Sequence, residues 1–420
     1  MKPITIAIAG CGSRGQDTYA RCQEKFADRM RIVAAADIRP EKLEQMRKTY
    51  GLTQEQCFDS AEEMLRHGRL ADAMFICTPD RSHYCQAMEA LRLGYHLLLE
   101  KPIAPTQEEC RDIERLALAQ NRHVVVCHVL RYTAFYQEIK RLLNAGAIGE
   151  LVSAQAIEQV AYWHQAHSFV RGNWRNAGLS TPMILQKCCH DMDILLWLSG
   201  RHCQRVSSFG SLRHFRKELA PQGAPERCGD GCPVYDECPY CAPRFYLGKV
   251  EAGQTGWPVN VLTPEPTHES VREALRTGPY GRCVYACDND VVDHQVVNLE
   301  LEGGLTVNFT MCAFTAHGGR VIRLMGTQGE ILGDTEANTI RLMPFGKEET
   351  LIDVRTLADD FSGHGGGDAR MVDDFLNLVS GADAAGEALT SISHSVESHL
   401  VALAAEKSRL EEGAVVTLNG

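Results

Sequence analysis

The chain has 420 residues, of which 44% are hydrophobic and 23% are charged, which suits two folded domains and excludes a globally disordered chain. Its formal net charge of −11 disfavours nucleic acid and anionic membranes as partners, because both carry negative charge. No apolar run reaches the length of about 18 residues that a transmembrane helix needs, and no secretory signal is evident, so we expect a cytoplasmic protein.

The first predicted element is a strand over Ile4–Ala9, an apolar run without polar alternation, as in a strand covered on both faces. A G-x-G-x-x-G pattern follows it directly. Its glycines allow a tight turn, close approach of the backbone to a pyrophosphate and close packing of the next helix, whose N–H groups bind phosphate. The pattern predicts a dinucleotide site with these first contacts: Gly10, Cys11, Gly12, Ser13, Arg14 and Gly15.

A second strand over 31–36 ends in Asp37, about 20 residues beyond the glycines, where a carboxylate can accept a hydrogen bond from a ribose 2′-hydroxyl group. The same carboxylate repels a 2′-phosphate, which favours NAD over NADP. Arg39 lies close enough in sequence to weaken that preference, and we count it among the cofactor contacts. The alternative role for Asp37 is a cap for the helix that begins near Pro40.

Strands and helices continue to alternate up to about residue 127, with further strands over 71–77, 95–99 and 123–127. This alternation predicts an α/β fold with a doubly wound parallel sheet, which binds ligands at the carboxyl ends of its strands. Thr78, Asp80 and Lys101 lie at such ends.

The Glu100-Lys101-Pro102 segment, together with the glycine pattern and Thr78-Pro79-Asp80 with His83, resembles the Gfo/Idh/MocA family of oxidoreductases. The resemblance continues through 146–150 and 190–193 and covers essentially the whole chain. It implies a Rossmann domain over 1–127 and an α/β domain with an open, mostly antiparallel sheet over 128–420. It also implies a homo-oligomer, either a dimer or a tetramer.

The same resemblance implies a nicotinamide ring near Lys101 and a substrate held between that ring and the second domain. In the family, the residue matched by His190 is the acid/base that exchanges the hydroxyl proton during hydride transfer, and the lysine contacts the substrate hydroxyl. Further cofactor contacts are expected from Thr78, Asp80, His83 and Glu100.

The chain departs from the family's dehydrogenases four residues before His190, where many of them have aspartate and this chain has Gln186. Glutamine can bind a hydroxyl group but cannot act as a base. Lys187 lies three residues before His190, on the same side of a helix, where its charge would lower the histidine pKa. We therefore add Lys187 to the candidate catalytic residues and Gln186 to the candidate substrate contacts.

A segment over 163–175 concentrates aromatic, imidazole and guanidinium groups, which suit a carbohydrate pocket. Its candidate substrate residues are Trp163, His167, Arg171 and Trp174. The alternative is a packed loop with the two tryptophans as core anchors, and both interpretations can hold. His294, at the start of an alternating strand, is a second candidate imidazole.

Seventeen cysteines are many for this length, and four of them lie in a Gly- and Pro-rich insertion over 220–245. They are Cys228, Cys232, Cys238 and Cys241, with Cys283 as a possible substitute for one of them. Four thiolates in irregular chain predict a structural zinc site, since metal binding would supply folding energy. The alternative is a set of reduced cysteines in an ordered loop.

Three functions remain open at this point. The first is an NAD-dependent oxidoreductase that acts on a secondary hydroxyl group of a small-molecule sugar, polyol or sugar derivative. The second is an NAD-dependent glycoside hydrolase that works by transient oxidation, elimination, hydration and re-reduction. The third is a nucleotide or sugar sensor without turnover, against which the presence of both Lys101 and His190 argues.

Overall fold

Two β-sheets of different kinds organise the protein, whose computed structural model describes residues 2–382 and 388–418. The first sheet has six parallel strands: β1 (Ile4–Ala9), β2 (Met30–Ala36), β3 (Cys57–Phe58), β4 (Ala73–Ile76), β5 (His96–Leu99) and β6 (Val124–Val126). Their spatial order is β3-β2-β1-β4-β5-β6. The order changes direction at β1, which is where doubly wound sheets bind their ligands.

Helices cover this sheet, and the strands are buried as their apolar runs predict. The helices are α1 (Cys22–Lys25), α2 (Pro40–Tyr50), α3 (Ala61–Arg66), α4 (His83–Arg92) and α5 (Gln107–Ala119). The helix expected after the glycine pattern is instead a π-helical segment, Ser13–Ala20. The predicted doubly wound parallel sheet is confirmed.

The second sheet has nine strands: β7 (Leu151–Gln159), β8 (Cys203–Ser211), β9 (His294–Leu301), β10 (Thr306–Cys312), β11 (Gly319–Gly326), β12 (Gly329–Asp334), β13 (Thr339–Pro344), β14 (Thr350–Asp353) and β15 (Val416–Thr417). Their order is β14-β13-β12-β11-β7-β10-β9-β8-β15. Neighbouring strands in this order are antiparallel, except β7 and β10, which are parallel. Alternating residues such as Val297, Leu299 and Phe309 are buried in the core. The predicted mostly antiparallel sheet is confirmed.

The remaining helices pack against this sheet, against one another or, as α13 does, against the first domain. They are α6 (Ala134–Asn144), α7 (Tyr162–His164), α8 (Met183–Gln186), α9 (Cys189–Ser199), α10 (Ala242–Glu251), α11 (His268–Thr277), α12 (Ser362–Gly365), α13 (Gly367–Ser380) and α14 (Ile392–Leu410). The α14 helix contacts α9 and β8 on one side and α5 and β6 on the other. None of the helices in the described ranges is long and apolar enough to cross a bilayer.

Residues 212–293, which connect β8 to β9, form the segment that we call the insertion. It is longer than the predicted cysteine-rich stretch over 220–245 and contains α10 and α11. It has its own apolar cluster, which includes Cys228, Cys241, Tyr246 and Val271. The insertion therefore packs as a small unit of its own beside the large sheet.

Candidate active site

The glycine pattern forms a cradle at the carboxyl end of β1. Gly10 has φ +86°, and a Cβ there would lie 2.5 Å from the carbonyl oxygen of Cys77. A Cβ at Gly15 would lie 1.9 Å from the carbonyl oxygen of Gly10. At Gly12 a Cβ would meet only Arg39 Nη2, at 3.7 Å, so the backbone is open to an approaching group. This open backbone beside a tight turn fits a dinucleotide pyrophosphate.

Asp37 is tied to this cradle. Its carboxylate accepts hydrogen bonds from the backbone N–H of Cys11 at 2.7 Å and of Arg39 at 2.9 Å. Arg39 Nε also lies 3.1 Å from the carboxylate, while about half of the Arg39 side chain is exposed. The carboxylate thus lies beside the glycine turn, where a ribose is expected, with a cation at its outer side.

Arg14 joins three separate parts of the chain. Its Nε donates to Glu100 Oε1 at 2.6 Å, and its Nη2 donates to Asp368 Oδ1 at 2.6 Å. The Tyr19 hydroxyl group also donates to Glu100, at 2.7 Å. Burial alone would raise the pKa of Glu100, but the charges of Arg14 and Lys101 lower it below its usual value. Glu100 is therefore a buried carboxylate that holds the glycine turn against the Lys101 segment.

Three predicted cofactor contacts use their polar atoms within the protein. The two ring nitrogens of His83 lie 2.7 Å from the carbonyl oxygen of Pro102 and 2.8 Å from that of Thr78. The Thr78 hydroxyl group donates to Gln86. These contacts hold the ends of β4 and β5 in place, and contact of His83 and Thr78 with the cofactor stays a prediction.

Asp80, the third of these residues, joins the two domains. Its carboxylate accepts hydrogen bonds from the hydroxyl groups of Ser180, at 2.6 Å, and Thr181, at 3.0 Å. It is buried, so it binds the loop that precedes α8 rather than open space. That loop leads to His190.

Lys101 and His190 are brought together by this loop and α8. Lys101 Nζ donates to the backbone carbonyl of Gln186 at 2.8 Å, one turn before the start of α9. Gln186 itself is buried. Burial, and then the charges of Lys101, His128 and Arg320, lower the pKa of His190 well below its usual value. His190 is therefore a neutral imidazole, and its Nδ1 has no hydrogen-bond partner among the described residues.

Lys187 belongs to a buried ion-pair network. Its Nζ lies 3.1 Å from Glu158 Oε1, and Glu158 Oε2 lies 2.7 Å from Arg320. Arg320 also forms an ion pair with Asp191, at 2.7 Å. The network fixes α9 to β7 and β11 with Lys187 as one of its cations, and a catalytic role of Lys187 stays a prediction.

His167 and Arg171, both predicted to bind substrate, are buried anchors of the insertion. His167 is hydrogen-bonded to the Tyr246 hydroxyl group at 2.6 Å and stacks on Tyr280 at 4.7 Å between ring centroids. The Arg171 guanidinium donates to the carbonyl oxygens of Arg282 and Tyr240, both at 2.7 Å. These polar groups are satisfied inside the protein, and contact of His167 and Arg171 with the substrate stays a prediction.

Trp163, Trp174 and His294 keep free surface, whereas the fourth remaining candidate, Gln186, is buried. Trp174 is 37% exposed and packs on Phe169. Trp163 stacks on the neighbouring His164, with ring centroids 5.6 Å apart. His294 lies at the start of β9 with its Nδ1 2.8 Å from the Asp293 carboxylate.

The predicted zinc site is not supported. Across residues 2–382 and 388–418, no group of three or more His, Cys, Asp and Glu side chains is arranged to hold a metal ion. Cys228, Cys232, Cys238, Cys241 and Cys283 line one small cavity as free thiols. Cys228 and Cys241 pack in the apolar cluster of the insertion, which supplies the folding energy that we had assigned to a metal.

Several residues beside the site were missed by the sequence analysis. His128 packs edge-to-face on His190 at 5.5 Å and on His399 at 5.3 Å. Arg131 donates two hydrogen bonds to Asp193. Asp193 is fully buried and lies within one turn of His190 in α9. The second acidic residue of the His-Asp-Met-Asp motif was a signal for this pair, because a buried carboxylate needs a cation.

Comparisons with known proteins agree with this geometry. Residues 4–128 match the model of an oxidoreductase family described as an NAD-binding Rossmann fold, and residues 140–418 match that family's C-terminal alpha/beta domain. The inositol 2-dehydrogenase of Pseudomonas fluorescens is 29% identical over 198 residues, which are 46% of this chain and 54% of that protein. The chain thus spans about half the length of this curated relative.

Two solved structures share the fold over nearly the whole chain. The WlbA dehydrogenase from Bordetella pertussis, in complex with NADH and UDP-GlcNAcA, has a TM-score of 0.72 at 17% identity and covers 100% of this chain and 99% of its own. An inositol dehydrogenase homolog from Azotobacter vinelandii, complexed with NADH and myo-inositol, has a TM-score of 0.69 at 17% identity and covers 99% and 98%. At this identity the likeness concerns the fold.

Proposed function

Because the chain belongs to the Gfo/Idh/MocA oxidoreductase family, we propose that it transfers a hydride between NAD and a secondary hydroxyl group of a sugar, polyol or sugar derivative. The observation that carries this proposal is the pairing of Lys101 with a neutral His190 at the edge of the parallel sheet. Oxidation of an alcohol needs a cation beside the oxygen and a group that accepts its proton, and this pair offers both.

The residues divide the work as follows. The glycine cradle and Asp37 bind the dinucleotide, which accepts the hydride when it is bound. The Lys101 ammonium group stabilises negative charge on the substrate oxygen, and the neutral imidazole of His190 takes the hydroxyl proton. The hydrogen bond from Lys101 to the Gln186 carbonyl fixes the distance between the two domains at this point. The carboxylate of Asp37 favours NAD over NADP.

The proposal is tested by mixing the purified protein and NAD with a panel of free sugars, polyols and aryl glycosides. NADH absorbance and released aglycone are followed together. Formation of NADH in step with an oxidised sugar supports the oxidoreductase. A sound protein that binds NAD but forms neither NADH nor aglycone with any member of the panel contradicts the proposal.

A second candidate is a glycosidase in which NAD is reduced and reoxidised within each cycle. The observation that favours it is a second imidazole, His364, whose Nδ1 lies 3.1 Å from the Asp368 carboxylate beside Arg14. Elimination requires a base besides the one that serves oxidation, and a histidine held by a carboxylate has that chemistry. Aglycone release over many turnovers without net NADH would select this candidate.

A further inference from the structure

Three aromatic rings form a surface that we call the aromatic wall: Trp163, Phe245 and Trp257. The Trp163 and Phe245 rings stack with centroids 5.6 Å apart and planes inclined by 26°. Trp257 lies 5.4 Å from Trp163, and 46% of its surface is exposed. A tryptophan that served only to fill the core would be buried, so this ring leaves a face available. Phe245 and Trp257 both come from the insertion.

The wall adjoins the candidate active site through His164. This ring stacks on Trp163 at 5.6 Å and meets Trp257 edge-on at 5.0 Å. Burial lowers the pKa of His164 well below its usual value, and the charges of Lys187 and Lys101 lower it further. The segment that carries Trp163 and His164 follows β7, whose Glu158 pairs with Lys187 at 3.1 Å. Lys187 is the residue after Gln186, whose carbonyl oxygen accepts the hydrogen bond from Lys101.

The wall has the chemistry that binds a sugar ring. Aromatic faces pack against the C–H face of a pyranose, while polar groups at the edge bind its hydroxyl groups. Lys249 supplies such a group, because its Nζ lies 5.6 Å from the Trp163 centroid and 5.3 Å from the Phe245 centroid. This ammonium group lies over the Trp163 and Phe245 rings, and its long flexible side chain lets it donate to a hydroxyl oxygen of a sugar that packs beside them on Trp257.

We propose that the aromatic wall is a second sugar subsite, so that the substrate is a glycoside of at least two rings. The ring to be oxidised lies at Lys101 and His190, and the ring joined to it stacks on the exposed Trp257, since His164 and Phe245 already stack on Trp163. This inference rests on the proposed function only for the position of the ring that is oxidised, at Lys101 and His190. Two of the three rings of the wall, Phe245 and Trp257, belong to the insertion. The insertion therefore selects for substrate length.

The test compares monosaccharides with matching disaccharides: glucose with cellobiose, and galactose with lactose. In Trp257→Ala, the kcat/KM for the preferred disaccharide should fall about 10-fold or more, because both the stacking on the aromatic ring and the apolar area that it buries are lost. The kcat/KM for the matching monosaccharide should stay unchanged. Phe345→Ala, which removes an even more exposed aromatic residue far along the chain, is the control.

A loss of equal size on both members of the pair would overturn the wall as a subsite, as would a wild-type protein that prefers the monosaccharide. If no sugar is oxidised, calorimetric titration of cellobiose and lactose into the NAD-loaded protein decides separately. Binding that Trp257→Ala removes would keep the wall while the proposed function fails. Absence of binding to the wild type would overturn the wall as well.

Discussion

The cofactor edge and the insertion differ in how their residues are brought together. At the cofactor edge, each group belongs to a short motif: the glycine turn, Asp37 at the end of β2 and Lys101 after β5. In the insertion, neighbouring groups come from distant parts of the chain, as where Arg171 binds the carbonyl oxygens of Tyr240 and Arg282. A motif whose role depends on backbone conformation can be recognised in sequence, whereas a role that depends on tertiary packing cannot.

The largest effect is expected where the two domains meet. Lys101→Ala and His190→Ala should each lower turnover by at least ~100-fold, the scale of losing a general acid or base, while NAD binding persists. Steady-state kinetics and NAD titration measure the two quantities. Lys48→Ala, an exposed lysine of α2, is the matched control. A near wild-type rate in either variant would refute the role of that residue.

Replacement of Arg171 tests whether the insertion is a separately anchored unit. Arg171→Ala should lower the free energy of unfolding by about 2–3 kcal/mol, because two buried carbonyl groups lose their donor. The affinity for NAD should not change, since the cofactor edge is elsewhere. Thermal unfolding and NAD titration check this, with the exposed Arg276→Ala as control. A variant with normal stability and lost turnover would indicate that Arg171 binds the substrate instead.

The cofactor edge can be tested alone through Asp37. Asp37→Ala should shift the ratio of NAD to NADP affinity by about 10-fold toward NADP, because one charge-assisted hydrogen bond and one repulsion are removed. Arg39→Ala should shift the ratio the opposite way. Fluorescence titration with both reduced cofactors gives the ratio. An unchanged ratio in Asp37→Ala would show that this carboxylate does not recognise the ribose.

Acid should destabilise the protein through the buried histidines where the two domains meet. Burial, then the charge of His128, lowers the pKa of His399 from 6.5 to about 3, and burial also lowers the pKa of His128. Such histidines bind protons in the unfolded chain but not in the folded one, so their stabilisation is complete above pH 6.5 and is lost as the pH falls. Each contributes a slope of about 1.4 kcal/mol per pH unit below that value.

Urea unfolding between pH 7 and pH 4 measures this slope. His399→Gln should be less steeply destabilised by acid than the wild type, by one proton. His268→Gln, an exposed histidine of the insertion, should leave the slope as it is. Equal slopes in His399→Gln and the wild type would mean that His399 is protonated in the folded protein.

Most of the fold and the centre of the site followed from local sequence. The apolar run Ile4–Ala9, the glycines and Asp37 predicted the parallel sheet and its cofactor edge, since each depends on neighbours in the chain. The ion pair of Lys187 with Glu158 was not predicted because Glu158 lies on β7, and nothing between the two residues indicates the contact. Asp368 was missed for the same reason, as it meets Arg14 across nearly the whole chain.

Deuterium transfer tests the central claim most directly. A sugar found in the substrate screen, labelled with deuterium on the carbon that bears the reacting hydroxyl group, is incubated with the protein and NAD. Mass spectrometry of the dinucleotide then shows whether the label has moved. We expect deuterium in the reduced cofactor, and at least ~100-fold slower labelling when His190→Ala replaces the wild type. Oxidised sugar formed beside an unlabelled reduced cofactor would contradict hydride transfer at this site.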